Sequence, residues 1–314
     1  MDIVAIGEMV IDFLPSKEID SYIRKSGGAP SNVAIAVARN GLKAGIYCAV
    51  GDDDFGRFLH KTLMENGVIC LKDSYVKEAT TTMAFVTLNE YGERCFTFAR
   101  KPGADMFLSK EDIKRTDLED CTILHAGSCS LSKGSSVEAT RYAVKIASEL
   151  GKLCSFDVNY RSLLWDDDRE AAAKAVQEIL QYIDLLKISE EEVDLLGGED
   201  DLHNIMAANN ITVLVETLGD KGARCFWNQM VIESPAVKTQ CVDATGAGDA
   251  FWGGFLSSLL KNNVKAVGDV TEEKLREALQ YGNLAGALCV QKKGAVESLP
   301  TFEELALYKE EFQV

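Results

Sequence analysis

Short apolar runs alternate with amphipathic stretches along most of the chain. The apolar runs have the length of buried strands and lie at 3–6, 45–50, 122–126, 153–158, 185–188 and 212–215. The amphipathic stretches repeat their apolar residues every three or four positions and lie at 31–40, 55–66, 136–150, 169–182, 247–260 and 272–290. Gly41, Gly67 and Gly151 follow three of these stretches, where helices commonly end. The alternation predicts an α/β fold of three layers, a mostly parallel central sheet with helices on both faces.

Two segments interrupt this alternation and have no helical partner. Residues 10–26 contain two short strand-like runs, and residues 78–100 resemble a hairpin with its turn at 89–92. We expect both segments to form one small antiparallel sheet that acts as a lid beside the core. Phe96 and Phe98 share one face of their strand, which we expect to turn toward a ligand cleft or a second copy of the chain. The core is assigned to residues 1–9, 27–77 and 101–314.

The composition is that of a folded protein, with 314 residues of which 46% are hydrophobic and 26% charged. Asp and Glu number 49 against 33 Lys and Arg, which gives a formal net charge of −16. Phosphate backbones and anionic lipids would repel this charge, so it argues against a nucleic-acid or membrane-surface partner. No apolar run reaches the ~18 residues of a membrane span. The amino terminus has no basic segment before an apolar one, so we expect no signal peptide.

The nine cysteines predict free thiols, not a disulfide framework or a zinc ribbon. Their number is odd, and the Cys-x-x-Cys spacing of zinc ribbons and thioredoxins does not occur. Cys48, Cys70, Cys95, Cys154 and Cys289 lie within apolar runs, where a free cysteine behaves as a small hydrophobic residue. Free thiols are typical of a reducing compartment, which predicts a cytoplasmic location.

The sharpest chemical signal is the run DATGAGD at 243–249, which follows a strand-like run at 240–242 and opens a helical stretch. Glycines at a strand-to-helix junction let a ligand approach the backbone, and a helix amino terminus attracts anions. Asp249 places a carboxylate beside that anion site. This pair suits phosphoryl transfer to an alcohol, because the carboxylate can accept the hydroxyl proton while N–H groups hold phosphate charge. A glycine-rich helix start with an ordinary first-turn acid would look the same.

A second signal is the run GGAPSNVA at 27–34, which predicts another close approach of a ligand to the backbone. A tight turn followed by an ordinary helix cap is the alternative. Three competing motifs are absent from the sequence. There is no P-loop, no Gly-x-Gly-x-x-Gly after the first strand, and no His-Arg-Asp with Asp-Phe-Gly pair of protein kinases.

Together, the two runs resemble the two signatures of the ribokinase-like (PfkB) carbohydrate kinases, in the same order and about two hundred residues apart. The resemblance extends over essentially the whole chain and includes the late Lys-Gly-Ala at 293–295. It implies a ribokinase-like three-layer sandwich with a β-sheet lid. Further details are most similar to the fructokinase branch: GERCFTF at 92–98, DVNYR at 157–161 and TLG at 217–219. Kinases of 2-keto-3-deoxygluconate share much of this pattern.

The resemblance implies a sugar site between the core and the lid. Asp249 would be the general base, and Arg161 would clamp the transferring phosphoryl group unless it forms an ordinary surface salt bridge. The implied anion hole consists of Gly246, Ala247 and Gly248. The residues implied to face the sugar are Asp12, Gly28, Asn32, Phe98 and Arg100. For Phe98, a place in the hydrophobic core of the lid is an equal alternative.

The resemblance also implies sites for ATP and cations. The implied ATP residues are Asp157, Asn159, Thr217, Gly219, Gly222, Gly248 and Asn283. Glu192 would organise Mg²⁺ through water, although Ser189 stands where the family usually has asparagine. A potassium site is a further hypothesis, and its residues would be Asp243, Thr245, Cys289, Gly294 and Ser298. Most of these potassium ligands would be backbone carbonyls.

The predicted protein is therefore an ATP-dependent phosphotransferase with an alcohol acceptor, converting ATP and D-fructose to ADP and D-fructose 6-phosphate. A 2-keto-3-deoxygluconate kinase, or another ribokinase-like kinase of a sugar or nucleoside, is the alternative within this class. A non-catalytic sugar sensor would be expected to lose Asp249 or the glycines beside it, and both are present. A dinucleotide oxidoreductase would need the fingerprint that the chain lacks. A homodimer through the lid is also considered.

Overall fold

The main sheet has nine strands and is parallel over most of its width. The computed structural model describes residues 1–16, 21–88, 94–198 and 202–312. The strands in this part are β1 (Ile3–Ile6), β2 (Val10–Pro15), β3 (Tyr22–Gly27), β4 (Ala44–Tyr47), β5 (Val68–Cys70), β6 (Met83–Leu88), β7 (Arg94–Ala99), β8 (Ile123–Gly127), β9 (Leu153–Asp157), β10 (Leu185–Ser189), β11 (Val213–Thr217), β12 (Gly222–Trp227) and β13 (Met230–Pro235). The main sheet has the order β13-β12-β11-β10-β9-β8-β1-β4-β5, with antiparallel pairing only at β11–β12 and β12–β13.

Helices cover both faces of this sheet. In the described residues they are α1 (Ala29–Arg39), α2 (Asp54–Glu65), α3 (Arg115–Glu119), α4 (Ser136–Glu149), α5 (Arg169–Leu180), α6 (Leu202–Asn209), α7 (Ala247–Lys261), α8 (Glu272–Cys289) and α9 (Phe302–Phe312). One core cluster joins α4 and α5 to one face, and a second joins α1, α2, α7 and α8 to the other. The predicted three-layer α/β fold is therefore confirmed. None of the helices in the described ranges is both long and apolar enough to cross a bilayer.

The six predicted strands and six predicted helices are all present, with ends shifted by a few residues. Gly41, Gly67 and Gly151 have φ of +79°, +74° and +69°, the left-handed conformation of a helix-ending glycine. The sequence pattern misses β5, the β12–β13 hairpin, α3, α6 and α9. Outer strand β13 largely alternates exposed and buried residues, so it has no continuous apolar run. The strand predicted at 240–242 is wrong, because this segment bonds to the backbone of Val290 at the end of α8.

The second sheet has four strands in the order β3-β2-β6-β7. The outer pairs form antiparallel hairpins, whereas the central pair, β2 and β6, is parallel. The expectation of a wholly antiparallel sheet is therefore wrong for this one pair. Strands β2 and β6 are the first strands of the two hairpins, and both run away from the core. Because they are neighbours in the sheet, they pair in parallel. The turn at 89–92 and the side chain of Phe96 lie outside what the structure describes.

The two faces of the small sheet differ in chemistry. Phe13 and Phe85 lie opposite each other, with their rings stacked 4.8 Å apart, and Phe13 also meets Phe55 of α2 at 5.7 Å. The opposite face carries Asp12, and the register places Phe98 on this face as well. The aromatic face therefore packs on α2, which leaves the face with Asp12 and Phe98 for the cleft between the sheet and the core.

Helices α1 and α7 pack closely because a glycine lies at their contact. A Cβ added at Gly253 of α7 would lie 2.4 Å from the Cβ of Ala36 on α1, so no larger residue fits without movement. Trp252, beside it, is fully buried and donates from Nε1 to the Oγ of Ser155 at 2.9 Å. These contacts fix α1 and α7 in one relative position against the sheet.

Replacing Gly253 with alanine should destabilise the fold, because the new methyl group overlaps Ala36. We expect a loss of about 1–3 kcal/mol in the free energy of unfolding, as is typical of overpacking. Gly286→Ala is the matched control, since a Cβ in that part of α8 would have only ordinary contacts at 3.5 Å or more. The control should gain about 0.5–1 kcal/mol from helix propensity. Urea unfolding measures both, and equal effects would contradict the close-contact explanation.

Candidate active site

The start of α7 presents unpaired backbone donors. Gly246 precedes the helix with φ +80°, a left-handed conformation that favours glycine. The N–H groups of Gly246, Gly248 and Asp249 have no backbone acceptor in the described part of the chain, whereas the N–H of Ala247 donates to the O of Ala244 at 3.2 Å. Three N–H groups are thus available to an anion, and the fourth closes a turn. A helix dipole adds partial positive charge at this point.

Asp249 lies in the first turn of α7 and is oriented by α1. The Nδ2 of Asn32 donates to the Oδ2 of Asp249 at 2.7 Å, and Oδ1 of the same amide is buried without a partner among the described residues. Burial raises the pKa of Asp249 to about 6, an effect that the bond from Asn32 opposes. The charge of Asp157 also raises this pKa, while Lys187 and Arg161 lower it. Such a carboxylate is ionised near neutral pH and basic enough to accept a proton.

Asp12 faces the same cleft from the small sheet. Burial and the charge of Asp249 raise the pKa of Asp12 to about 7, and Arg161 opposes this rise. A Cβ at Gly27 would lie 2.1 Å from the Oδ2 of Asp12, so the glycine makes room for the carboxylate. Gly28, expected to face a sugar, has φ +112° and packs against the backbone before β2. The glycine-rich motif therefore indicates Gly28 but gives no signal for the function of Gly27.

A buried ion pair lies below the start of α7. The Nζ of Lys187 is 3.0 and 2.9 Å from the two carboxylate oxygens of Asp157, and both side chains are buried. Burial lowers the pKa of Lys187, but the charges of Asp157 and Glu192 raise it more, so the lysine stays charged. A Cβ at Gly248 would lie 3.5 Å from this Nζ. Sequence reasoning missed Lys187, although a lysine inside the apolar run 185–188 is a signal that it has a partner.

The loop after β9 carries Asn159 and Arg161. Glu192 holds this loop, since it accepts hydrogen bonds from the N–H of Tyr160 at 2.6 Å and of Ser189 at 2.9 Å. Burial raises the pKa of Glu192, and these backbone donors oppose the rise. Arg161 is exposed to the cleft and forms no ion pair with the described residues. Its charge lowers the pKa of Asp12 and Asp249 in the cleft. The surface salt bridge considered for Arg161 is not observed among the described residues.

A cavity of about 510 Å³ opens between α7, α8 and the β11–β13 edge of the sheet, a size typical of ligand pockets. The predicted ATP residues that line it are Thr217, Gly219, Gly222, Gly248 and Asn283. The Nδ2 of Asn283 donates to the O of Ser234 at 3.0 Å, which ties its amide to β13. Asp157 and Asn159 do not line this cavity. The motif analysis misses its wall at 236–239, an irregular segment without a motif.

The loops around 243–245 and 289–298 bring the predicted potassium residues together. Oδ1 of Asp243 accepts from the N–H and Oγ1 of Thr245 at 2.9 and 2.7 Å, and Oδ2 accepts from the N–H of Gly294 at 3.1 Å. The hydroxyl of Ser298 donates to the O of Gly294. The thiol of Cys289 donates to the O of Thr245 at 3.8 Å. Carbonyl, carboxylate and hydroxyl oxygens of this kind suit a hard cation.

Arg100 lies in a buried ion pair, not above the cleft. Its Nε donates to Oδ2 of Asp105 at 2.8 Å and its Nη1 to the Oγ of Ser132 at 3.0 Å. The hydroxyl of Thr82 donates to the other oxygen of Asp105. The structure therefore assigns Arg100 to the junction of the small sheet and the core, where Asp105 balances its charge. Its Nη2 lies 2.7 Å from Oδ2 of Asp105 but has no well-aligned hydrogen-bond partner among the described residues. Phe98 is partly buried and packs against a core cluster.

Comparisons with known proteins identify the family that the chain resembles over nearly its whole length. A family model described as pfkB family carbohydrate kinase matches residues 1–302. Fructokinase-1 of Zea mays is 39% identical over 313 residues, which covers 96% of this chain and 96% of the relative. A crystal structure of fructokinase with bound ATP from Xylella fastidiosa superposes with a TM-score of 0.92 at 30% identity, covering 100% of this chain and 99% of that chain.

A second solved structure carries a sugar, a nucleotide and a cation. It is a double mutant of the fructokinase from Vibrio cholerae O395 in fructose, ADP and potassium ion bound form. Its TM-score is 0.89 at 33% identity, over 98% of each chain. Because the family model and the plant relative both span nearly the whole sequence, the chain belongs to the pfkB family of carbohydrate kinases.

Proposed function

We propose that this chain is an ATP-dependent fructose kinase, which transfers the γ-phosphoryl group to a primary hydroxyl and yields ADP and D-fructose 6-phosphate. The observation that carries the proposal is the position of Asp249. Its carboxylate lies beside unpaired N–H groups, between a nucleotide-sized cavity and the Asp12 face of the small sheet. The choice of fructose rests on fructokinases that are similar over almost the whole chain.

Asp249 acts as the general base in this proposal. It accepts the hydroxyl proton while the sugar oxygen attacks the γ-phosphorus, and the bond to the β-phosphate oxygen breaks to release ADP. Asn32 orients the carboxylate through its 2.7 Å bond, and a sugar hydroxyl would satisfy the unpaired Oδ1 of the same amide. Asp12 accepts hydrogen bonds from further sugar hydroxyls across the cleft.

Three groups balance the negative charge of the phosphates: backbone N–H groups, Arg161 and Lys187. The free N–H groups of Gly246, Gly248 and Asp249 face the transferred group from the helix terminus. Arg161 acts from the loop after β9, where its side chain is open to the cleft. Lys187 contributes a fixed positive charge beneath Gly248 and also neutralises Asp157, which would otherwise repel the phosphates. Lys187 is therefore an addition to the family residues named from motifs.

The residues present fit two cations in different ways. Both oxygens of Glu192 already accept backbone N–H groups, so contact with Mg²⁺ through water fits better than direct ligation. Mg²⁺ held mainly by the phosphates would supply charge neutralisation. The oxygens at 243–245 and 294–298 would hold K⁺ beside the start of α7, which would strengthen the positive potential there.

The charges of the described cleft residues favour a neutral sugar over 2-keto-3-deoxygluconate. That substrate carries a carboxylate and would need a cation near the small sheet. Arg100 is paired with Asp105, and Lys25 is paired with Glu297 at 2.9 Å. The side chain of Arg94 lies outside the described residues, and Arg161, whose charge acts on Asp12, is assigned here to the phosphoryl group. Asp12, on the face turned to the cleft, would repel an anionic substrate once it is ionised.

The small sheet, residues 10–26 and 78–100, serves as the lid of the sugar site in this proposal. Exclusion of water during phosphoryl transfer would prevent hydrolysis of ATP. Edge strand β3 exposes Tyr22 and Ile23, at 45% and 47% of their surface, which supports a homodimer formed through this sheet. The eight described cysteines are free thiols, as expected for the proposed cytoplasmic location.

Asp249→Asn should abolish most turnover while fructose and ATP still bind. We expect kcat to fall by roughly 10²–10⁴, the usual contribution of a general base. Glu272→Gln is the matched control, because Glu272 is a first-turn acid on the exposed start of α8. Release of ADP is measured with fructose, 2-keto-3-deoxygluconate, ribose and adenosine, and fructose should give the highest kcat/KM.

A different preferred acceptor would overturn the substrate assignment but not the kinase assignment. Wild-type kcat in Asp249→Asn would remove this residue from the mechanism. Isothermal titration with fructose separates a loss of binding from a loss of chemistry.

The same variant should be more stable than the wild type at alkaline pH. A pKa of about 6 in the folded state lies above the ~3.9 of an unfolded aspartate. The stability contributed by the protonated carboxyl is therefore full below about pH 4 and is lost as pH rises through 6. Asp249→Asn should gain on the order of 1–3 kcal/mol at pH 8 and less at pH 5. Urea unfolding at both pH values tests this, and an equal gain would contradict it.

Fructose should slow amide hydrogen exchange in residues 10–26 and 78–100, because lid closure protects the edge strands. The β12–β13 hairpin is the internal control, since it is also at a sheet edge but lies beside the nucleotide cavity. Exchange is compared by mass spectrometry with and without saturating fructose. Unchanged exchange in both lid segments, or equal protection of the control hairpin, would contradict closure.

A further inference from the structure

Two cysteines and a histidine converge between α2 and the β4–β5 edge of the main sheet, outside the candidate active site. Cys48 follows β4, Cys70 ends β5, and His60 lies in α2. One ligand atom from each residue lies within 4.8 Å of the other two. Cys48 and His60 are buried, with exposed fractions of 1% and 7%, and Cys70 is partly exposed. The cluster therefore has a buried side and one side open to water.

The fold explains why these residues meet. Strands β4 and β5 pair in parallel with Ile46 opposite Cys70, so the two side chains lie on the same face of the sheet. Cys48 is two residues beyond Ile46 and shares that face. Helix α2 covers this face, as the buried contacts of Leu59 and the neighbouring strands show. Three elements that are separate in sequence thus contribute one ligand each.

His60 points to a missing partner. Its Nε2 is buried and has no hydrogen-bond partner in the described part of the chain. The ring of Tyr75 packs on the imidazole with centroids 4.7 Å apart, which limits its rotation. By contrast, the buried His125 has a partner for its Nδ1 in Ser155 at 3.0 Å. An unpaired buried nitrogen destabilises the folded protein, and a bound ligand would remove that penalty.

We infer that Cys48, His60 and Cys70 bind a single Zn²⁺ ion. Two sulfurs and one imidazole nitrogen form a donor set that zinc prefers, and three protein ligands leave a fourth position for water on the side of Cys70. Tetrahedral ligands at ~2.3 Å from zinc lie about 3.8 Å apart, so ligand atoms within 4.8 Å of one another move closer by at most about 1 Å. Zinc binds both cysteines as thiolates, so binding releases to solvent the thiol protons that they still carry and transfers no electrons. The Cys70 thiol, which donates to the O of Lys72 at 3.2 Å, loses that bond in exchange.

The ion would join α2 to the ends of β4 and β5 close to the base of the small sheet. Asp53, the amino-terminal cap of α2, accepts hydrogen bonds from the N–H and Oγ1 of Thr81, both at 2.8 Å, just before β6. Zinc would therefore stabilise the support of the small sheet without touching Asp249. The inference does not depend on which sugar is phosphorylated.

Cobalt(II) titration of the reduced, tag-free full chain tests the site directly, because thiolate ligation gives charge-transfer absorption and a tetrahedral site gives strong visible bands. We expect one equivalent to bind and Zn²⁺ to displace it. Cys70→Ser and His60→Gln should each weaken binding ~100-fold or more, since even outer-shell changes cost 10–100-fold. Cys121→Ser and His203→Gln are matched controls outside the cluster and should bind as the wild type does.

Absence of the thiolate band in the wild type, or its persistence in both cluster variants, would overturn the proposal. A Cys48–Cys70 disulfide as the resting state under anaerobic conditions would overturn it as well. Thermal unfolding gives a second measurement: Zn²⁺ should raise the Tm of the wild type and of both controls, but not of the cluster variants. Kinase activity of Cys70→Ser and His60→Gln, measured with Mg²⁺ but without Zn²⁺, should stay within about twofold of the wild type, which shows that these variants fold.

Discussion

The hydrogen bond between Asn32 and Asp249 depends on how closely two helices can approach. Its 2.7 Å length joins α1, which follows the first glycine-rich run, to α7, which follows the second. The absence of a side chain at Gly253 sets the separation of these helices against Ala36. Everything else in the proposed mechanism is placed relative to this pair. The anion site belongs to α7, and the hairpin that carries Asp12 leads directly into α1.

Carboxylates dominate the cleft, and burial together with neighbouring negative charge determines their chemistry. Asp12 and Asp249 both have a raised pKa, mainly because they are buried; the charge of Asp249 adds to the rise at Asp12, and the charge of Asp157 adds to the rise at Asp249. Lys187 prevents Asp157 from adding a third uncompensated charge. A chain with a net charge of −16 can therefore bind a polyphosphate, because the cations that matter are few and fixed at the phosphate end of the site. The net charge of the chain is negative, whereas the charge at the phosphate end of the site is positive.

Local sequence patterns predict most of the fold and the motif residues. The features that they do not predict depend mainly on contacts between residues that are far apart in the sequence. Strands such as β1 and β8 are buried on both faces, so continuous apolar runs in the sequence predict them. Strand β13, at the sheet edge, largely alternates exposed and buried residues and has no such run. The family resemblance predicts that Arg100, on the second strand of the lid hairpin, faces the sugar, but its ion pair with Asp105 is a tertiary contact that no local pattern indicates. Cys48, His60 and Cys70 follow no ligand spacing at all, because three elements supply them.

The parallel pairing of β2 with β6 has a mechanical consequence. Both central strands of the small sheet start at the core, and both outer strands return to it, so all four attachments lie along one edge. A plate fixed along a single edge can rotate about that line, but it resists sliding and twisting. The ion pair of Arg100 and the bonds of Asp53 to Thr81 join the sheet to the core just after β7 and just before β6. For the proposed lid, rotation about this edge is the motion that such an attachment favours, and it would change the distance between Asp12 and Asp249.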